Sequence, residues 1–271
     1  MSFVGRHKSM LIFEVITPGT WLESDDRQWA FEIEGQLRSL TSQFYEANLA
    51  LNLFMAARES RPSFADQDQW ERDAEHRARI RNELELENQN ASSREVWEKI
   101  QFETEVRFKR EKWQGGSLPR EFEHGISFIY AKAFLYALDA FDKFLGVLAR
   151  ERDVPEELPE LHARIGSAFP NLRGVRNTSQ HLEDRARGLG AGRNPQPMNL
   201  QPVENNLVSA PAGGVLILNS LNGSRFGSTM ADGHFGEVDV SPESLEALQH
   251  ILNDVLQAFS WQGPVQHGPS A

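Results

Sequence analysis

One stretch of the chain, NLRGVRNTSQHLEDRARG at residues 171–188, groups arginines around a single histidine. In it Arg176 is followed directly by Asn177, and His181 lies five residues after the arginine. Histidine transfers protons near neutral pH, and arginine stabilises charge on phosphoryl oxygens with a permanently charged, forked donor. These residue types predict phosphodiester cleavage in RNA, in which a ribose 2′-hydroxyl attacks the adjacent phosphorus. His181 would transfer protons, Arg176 would stabilise the phosphoryl charge, and Asn177 would orient either side chain.

On a regular helix this segment has one face that packs against the protein and one that is displayed. Asn177 and His181, four residues apart, share the displayed side, and Arg176 lies at its border. Arg176 and His181 point about 140° away from each other on one helix. A symmetric homodimer is therefore predicted, since a two-fold axis would bring two histidines and two arginines into one cleft. The stripe expected to pack inward consists of Leu172, Val175, Ser179, Leu182 and Ala186.

Other arginines of the same stretch are candidates to contact the substrate. Arginines outnumber acids between residues 173 and 193, so Arg173, Arg185 and Arg187 are predicted to contact phosphate or RNA. The segment shows no cluster of carboxylates and histidines at ligand spacing, and no metal or cofactor is predicted.

Two acids on the preceding apolar helix are candidates to support the site. Asp139 or Asp142 would point toward Arg176 and His181. The alternative is a salt-bridged edge of that helix, because Lys132, Asp139 and Lys143 recur along one narrow stripe.

The order Arg-Asn-(three residues)-His on a late helix resembles the R-x4-6-H motif of the HEPN superfamily. The motif covers six residues, 176–181, and the architecture covers roughly residues 26–188. The resemblance implies a helical, dimeric, metal-independent endoribonuclease, with Arg176 and His181 as the catalytic pair and Asn177 as the accessory polar residue. It also implies a toxin or defence effector with an RNA substrate and an antitoxin or nucleotidyltransferase partner. Because many HEPN proteins only bind or dimerise, a non-catalytic dimerisation, partner-binding or nucleotide-binding module is the alternative.

Apolar residues that recur at spacings of three and four predict the helices that position these residues. The predicted helices cover residues 26–59, two charged segments within 67–112, and residues 120–152, 160–169 and 171–187. The helix at 120–152 is apolar around most of its girth, which predicts a place in the middle of the bundle. The charged pair is interpreted as surface helices, with a specific charged-ligand site as the alternative. The predicted caps are Ser24 or Asp25 for the first helix, and Ser92 with Glu95 after a break at residues 88–93.

The predicted fold class is mostly α, a HEPN-like helical bundle with a small C-terminal three-strand antiparallel meander plus a helix. Asn222-Gly223 and Asp232-Gly233 are hairpin signals, and Ser241 is predicted to cap the last helix. The chain is predicted to have five parts: an irregular segment (1–25), the bundle (26–190), a linker or long loop (191–214), an α+β appendage (215–260) and a disordered tail (261–271). The irregular segment is predicted to contain one short strand at 11–17. The appendage is predicted to contain strands at 215–221, 224–230 and 234–240.

The amino-acid composition excludes several classes of protein and kinds of site. The 271 residues are 39% hydrophobic and 25% charged, as in ordinary globular proteins. The net charge of −11 argues against constitutive coating of nucleic acid, although a local basic patch can persist. The absence of cysteine excludes disulfides and thiolate metal sites and favours a cytoplasmic location. Neither a signal peptide nor a membrane span is predicted, because charged residues interrupt the apolar runs.

Overall fold

The computed structural model describes residues 10–59, 67–88 and 93–270. There the chain is mostly α-helical with small antiparallel strand sets, which confirms the predicted mostly α class. The helices are α1 (Arg27–Glu59), α2 (Gln67–Glu87), α3 (Arg94–Gln114), α4 (Arg120–Leu148), α5 (Leu158–Ala168), α6 (Leu172–Gln180), α7 (Leu182–Ala186) and α8 (Pro242–Ala258). The strands are β1 (Val15–Thr17), β2 (Trp21–Leu22), β3 (Val203–Glu204), β4 (Ser209–Ala210), β5 (Ser220–Asn222), β6 (Arg225–Thr229), β7 (Phe235–Asp239), β8 (Trp261–Gln262) and β9 (Gln266–Gly268).

The described residues divide into two compact units. The hairpin unit lies within residues 57–126, and the main unit comprises residues 10–56 and 127–270. This division differs from the predicted one, in which residues 26–190 formed a bundle and residues 215–260 an appendage. The difference arises because α8 packs on α5, and β6 and β7 pack on α6, so the predicted appendage shares the main hydrophobic core.

The hairpin unit contains α2 and α3, which pack together around a small core. Its buried apolar residues are Ile80, Leu84, Ile100 and Phe108, with Val96 at the edge. The helix α3 begins at a cap formed by Ser93, whose hydroxyl accepts the Val96 N–H. The predicted cap Ser92 lies outside the described residues.

In the main unit, α1, α4 and α8 contribute most of one continuous core. The first helix begins where Asp26 Oδ1 accepts the Trp29 N–H at 3.0 Å, so the cap is Asp26 rather than the predicted Ser24 or Asp25. The predicted cap of α8 is confirmed, since the Ser241 hydroxyl accepts the Ser244 N–H. The large fully buried aromatic side chains are Phe44, Phe54, Phe134, Phe141 and Phe226.

The helix α4 is buried on one side only, which corrects its predicted place in the middle of a bundle. Its buried side carries residues such as Phe134, Leu138 and Phe141, whereas Ile129 is 63% exposed and Val147 is 43% exposed. The prediction failed because an apolar sequence does not show whether a second layer covers the outer face. No helix among residues 10–59, 67–88 and 93–270 combines the length and apolarity needed to cross a membrane.

The strands β5, β6 and β7 form the predicted antiparallel meander, and Gly223 takes a positive φ of 60° in the first turn. The first strand begins only at Ser220, later than the predicted residue 215. The predicted disorder of residues 261–271 is wrong for β8 and β9, which pair with β2 and β1. Their partners lie at the other end of the chain, so local composition carries no signal for this pairing.

Candidate functional site

The segment predicted as one helix is two short helices, α6 and α7, separated at His181. His181 has φ −119° and ψ 42°, which lies outside the helical region. On one side of the break, Thr178 Oγ1 donates to the Thr229 carbonyl of β6 at 3.1 Å. On the other side, Arg185 Nη1 donates to the carbonyls of residues 189–190 at 2.6 Å each. These tertiary contacts anchor the two helices separately, which helical periodicity cannot report.

Arg176 is buried in an ion pair with Asp139 of α4. Arg176 Nη2 lies 2.7 Å from Asp139 Oδ1, and the two side chains are only 11% and 9% exposed. Arg176 Nη1 also donates to Gln180 Oε1 at 2.6 Å, which leaves Nε buried without a hydrogen-bond partner. Arg176 was predicted to lie at the border of the displayed face, but its side chain is buried inside the main unit. There its guanidinium links α6 to α4 through the ion pair with Asp139.

Two lysines of α4 lie on the same side of that helix as Asp139. Lys143 Nζ is 2.6 Å from Asp139 Oδ2, so this carboxylate bridges Lys143 and Arg176. The Lys143 side chain remains more than half exposed. Lys132 is half-buried two turns earlier, and burial lowers the pKa of its ammonium. This stretch of α4 therefore has cationic groups at the surface beside the buried pair.

His181 is displayed at the break, as predicted, with a side chain that is 58% exposed. Its Nδ1 lies 4.0 Å from Glu183 Oε1, which is a weak, solvent-exposed contact. Within the described residues, no hydrogen bond or ion pair joins His181 to Arg176, and the two side chains have different partners. A single chain therefore does not pair the two predicted catalytic side chains.

His181, Glu183 and Asp184 lie close together, which corrects the prediction that this segment has no cluster of carboxylates and histidines at ligand spacing. One ligand atom from each lies within 4.8 Å of the others, and such a set of nitrogen and carboxylate oxygens suits a divalent cation. Asp184 is also paired with Arg187, whose Nη2 lies 2.5 Å from Asp184 Oδ1. The arginine competes with a cation for the same carboxylate.

The predicted accessory residues have different environments. Arg173 is exposed on α6, and Arg187 is exposed but paired with Asp184. Asn177 is half-buried, and its carbonyl accepts the His181 N–H at 3.0 Å. Arg185 is 2% exposed, which corrects its predicted contact with RNA. Its guanidinium is buried because it donates hydrogen bonds to the backbone carbonyls of residues 189–190, which follow α7.

Asp142, the other predicted acid, contacts His162 of α5 and not the segment around His181. His162 Nε2 lies 3.0 Å from Asp142 Oδ1, and both side chains are about one-third exposed. The ring lies against Gly146, where an added Cβ would be 2.9 Å from two ring atoms. An isolated glycine in a long apolar helix was the sequence signal for this close approach.

A cavity of the main unit lies elsewhere, between α1 and the paired strands β1 and β9. It has a volume of about 500 Å³, and its lining includes Arg38, Tyr45, Trp261 and His267. Burial raises the pKa of the Tyr45 hydroxyl. None of the predicted site residues lines this cavity.

Comparison of the chain with protein-family models, with curated proteins and with solved structures gives no match.

Proposed function

We propose that the chain is a metal-independent endoribonuclease of the HEPN type that acts as a homodimer. The observation that carries this proposal is an exposed imidazole, His181, at a helix break whose preceding turn is anchored by the buried Arg176–Asp139 pair. Such an anchor holds a proton-transfer group at the surface without burying it. In the biological setting that the resemblance implies, the enzyme is a toxin or defence effector with an antitoxin or nucleotidyltransferase partner.

The chemistry needs one group that accepts a proton and one that donates it. Neutral His181 of one copy removes the 2′-hydroxyl proton as that oxygen bonds to phosphorus. The bond from phosphorus to the 5′-oxygen breaks, and a protonated His181 of the second copy supplies the proton to the leaving oxygen. The products carry a 2′,3′-cyclic phosphate and a 5′-hydroxyl. Asn177 orients the imidazole from the preceding turn.

The buried position of Arg176 changes the role proposed for it. Asp139 holds its guanidinium, so Arg176 positions the end of α6 and contributes positive charge from beneath the surface. Lys143 shares the same carboxylate and is more than half exposed, which leaves it free to turn toward a phosphate. Lys143 is therefore the cation proposed to contact the developing charge on the phosphoryl oxygens.

A second copy is proposed to dock on the exposed apolar face of α4. Ile129, Tyr136, Phe144 and Val147 lie on that face, next to the stripe that carries Asp139 and Lys143. Packing two such faces about a two-fold axis would bring both polar stripes to one cleft. Light scattering is expected to show a dimer for the wild type and a monomer for Val147→Glu. A Phe31→Glu variant, at an exposed aromatic residue of α1, is the control.

The decisive experiment is cleavage of a labelled single-stranded RNA in EDTA, with identification of the product ends. His181→Ala should abolish cleavage and should leave the thermal midpoint unchanged. His234→Ala is the matched control, because His234 is 61% exposed and its Nδ1 lies 3.4 Å from the carboxylate of Asp232. Equal cleavage by His181→Ala and wild type would refute the proposed acid–base role.

The burial of Arg176 specifically favours one other candidate, a HEPN-like dimerisation or partner-binding module without catalysis. An arginine engaged by Asp139 and Gln180 is what a purely structural pair requires. This candidate predicts dimers and no cleavage by the wild type, so the same two assays distinguish it from the ribonuclease.

A further inference from the structure

The outer face of α3 in the hairpin unit combines exposed aromatic rings with exposed cations. Phe102 is 67% exposed and Trp113 is 47% exposed, although each is large enough to anchor a core. This outer face, defined by Lys99, Phe102, Val106, Lys109, Arg110 and Trp113, lies opposite the buried residues Ile100, Thr104 and Phe108. The helix α3 therefore has a second partly apolar face that the α2–α3 core does not use.

The pairing of charges differs between the two sides of the hairpin unit. Four cations at the contact between α2 and α3 have a carboxylate partner. These pairs are Arg77–Glu105, Arg79–Glu111, Arg107–Glu87 and Lys112–Asp73. On the outer face, Lys99, Lys109 and Arg110 have no ion-pair partner within the described residues, and two carboxylates, Glu95 and Glu103, lie among them. The outer face keeps a surplus of positive charge although the whole chain carries −11.

We infer that the outer face of α3 binds single-stranded RNA. Bases stack on exposed aromatic rings without regard to sequence, and unpaired cations contact the phosphates between them. Phe102 and Trp113 are about 16 Å apart along the helix axis, so a run of a few nucleotides could contact both rings. An apolar protein partner would leave the three unpaired cations without a counter-charge, whereas the phosphates of RNA supply one. RNA is therefore the ligand that this face fits.

The inference rests on the proposed function only in naming RNA as the nucleic acid that the protein meets. It concerns capture of the strand and not its cleavage. The binding experiment therefore uses the full chain with His181→Ala, so that the RNA stays intact. The probe is a 3′-fluorescent oligouridylate of about 12 nucleotides, within the range of single-strand site sizes, and its dissociation constant is measured by anisotropy at several salt concentrations.

Paired variants separate stacking from charge. Phe102→Ala with Trp113→Ala should weaken binding at least tenfold. Lys109→Gln with Arg110→Gln should reduce the slope of log affinity against log salt by about 1.4, since each phosphate that is no longer neutralised lowers the slope by about 0.7. The matched controls are Phe31→Ala, an equally exposed ring on α1, and Arg79→Gln, an arginine paired at the α2–α3 contact. Both controls should bind like the parent protein, and unchanged melting curves show that all variants fold.

Unchanged affinity and salt slope in the outer-face variants would overturn the inference, as would a parent protein that does not bind the oligonucleotide. If Phe102→Ala with Trp113→Ala dissolves a dimer and leaves RNA affinity unchanged, the face is a protein interface and the inference is also wrong. Cleavage by the wild type together with full affinity in the outer-face variants refutes this inference and leaves the ribonuclease proposal standing. Binding that depends on the outer face, with no cleavage, supports the inference and refutes the ribonuclease.

Discussion

Replacing Arg176 with alanine is expected to lower the free energy of unfolding of the main unit by about 3 kcal/mol. Breaking a buried ion pair from one side costs about 3–5 kcal/mol, because the remaining charge stays buried without its partner. Here Asp139 would keep Lys143 at 2.6 Å, so the loss should lie at the lower end of that range. Gln180 also loses the hydrogen bond that it accepts from Arg176 at 2.6 Å.

Hydrogen exchange of the amides of α6 and of residues 127–148 in α4 measures this free energy without a contribution from the hairpin unit. Arg173→Ala is the control, since this arginine is exposed on the same helix and its loss should change stability by less than about 0.5 kcal/mol. Replacing both partners, Arg176→Met with Asp139→Leu, should restore most of the stability, because similar-sized apolar residues replace a buried ion pair at little cost.

The double variant also separates structure from chemistry. If it is stable and still cleaves RNA, Arg176 only positions α6. If it is stable and inactive, the positive charge of Arg176 or the bridge to Lys143 contributes to catalysis. A loss below about 1 kcal/mol for Arg176→Ala would refute the reasoning, since the pair would then behave like an exposed one.

Three further substitutions test the packing and charges around the site. Gly146→Ala should displace the His162 ring from Asp142, which NMR of the imidazole would detect. That ring is one-third exposed and can move, and alanine favours helix over glycine by about 1 kcal/mol. The free energy of unfolding should therefore change by less than about 2 kcal/mol. A larger loss would show that the ring cannot move. Arg185→Met should cost about 2–5 kcal/mol in chemical denaturation, because two buried carbonyls lose their donors, and it should leave RNA affinity unchanged. Burial, assisted by Asp239 and opposed by Arg225, raises the pKa of Glu237, so stability should fall as pH rises from about 4.5 through that pKa. Glu237→Gln should therefore stabilise the protein at neutral pH and have no effect below pH 4, and equal effects at both pH values would contradict this assignment.

Elements that depend on local signals were predicted closely. The helix predicted at residues 26–59 is α1 at Arg27–Glu59, because its apolar residues recur at helical spacing and Asp26 caps its start. The Ser241 cap was likewise found where predicted, and the first turn of the meander lies at Gly223-Ser224, one residue after the predicted Asn222-Gly223, since each depends on two to four consecutive residues. His181 is exposed as predicted, but it lies at a break between two helices and not on one continuous helix, and Ala186 of the predicted inward stripe is exposed.

Errors arose where a distant partner decided the conformation. The tail at residues 261–268 is ordered because β8 and β9 pair with strands at the start of the chain. Arg185 was predicted to face RNA, but it is buried because carbonyls of the following loop accept its N–H groups. The place of α4 was misjudged because the number of layers around a helix is not encoded in the helix itself.

Local sequence signals were enough to establish the mostly α class, the position of the main helices, the turns of the meander, and the grouping of Arg176, Asn177 and His181 on one short segment. These features depend on backbone propensities and on spacings of a few residues, which act over one or two turns. Three features could be known only from the packed fold. Arg176 forms its ion pair with Asp139 and not with Asp142, the helix breaks at His181, and Asp142 pairs with His162. Each of these depends on which groups are buried together, since a charge or carbonyl removed from water must find a partner wherever the fold provides one.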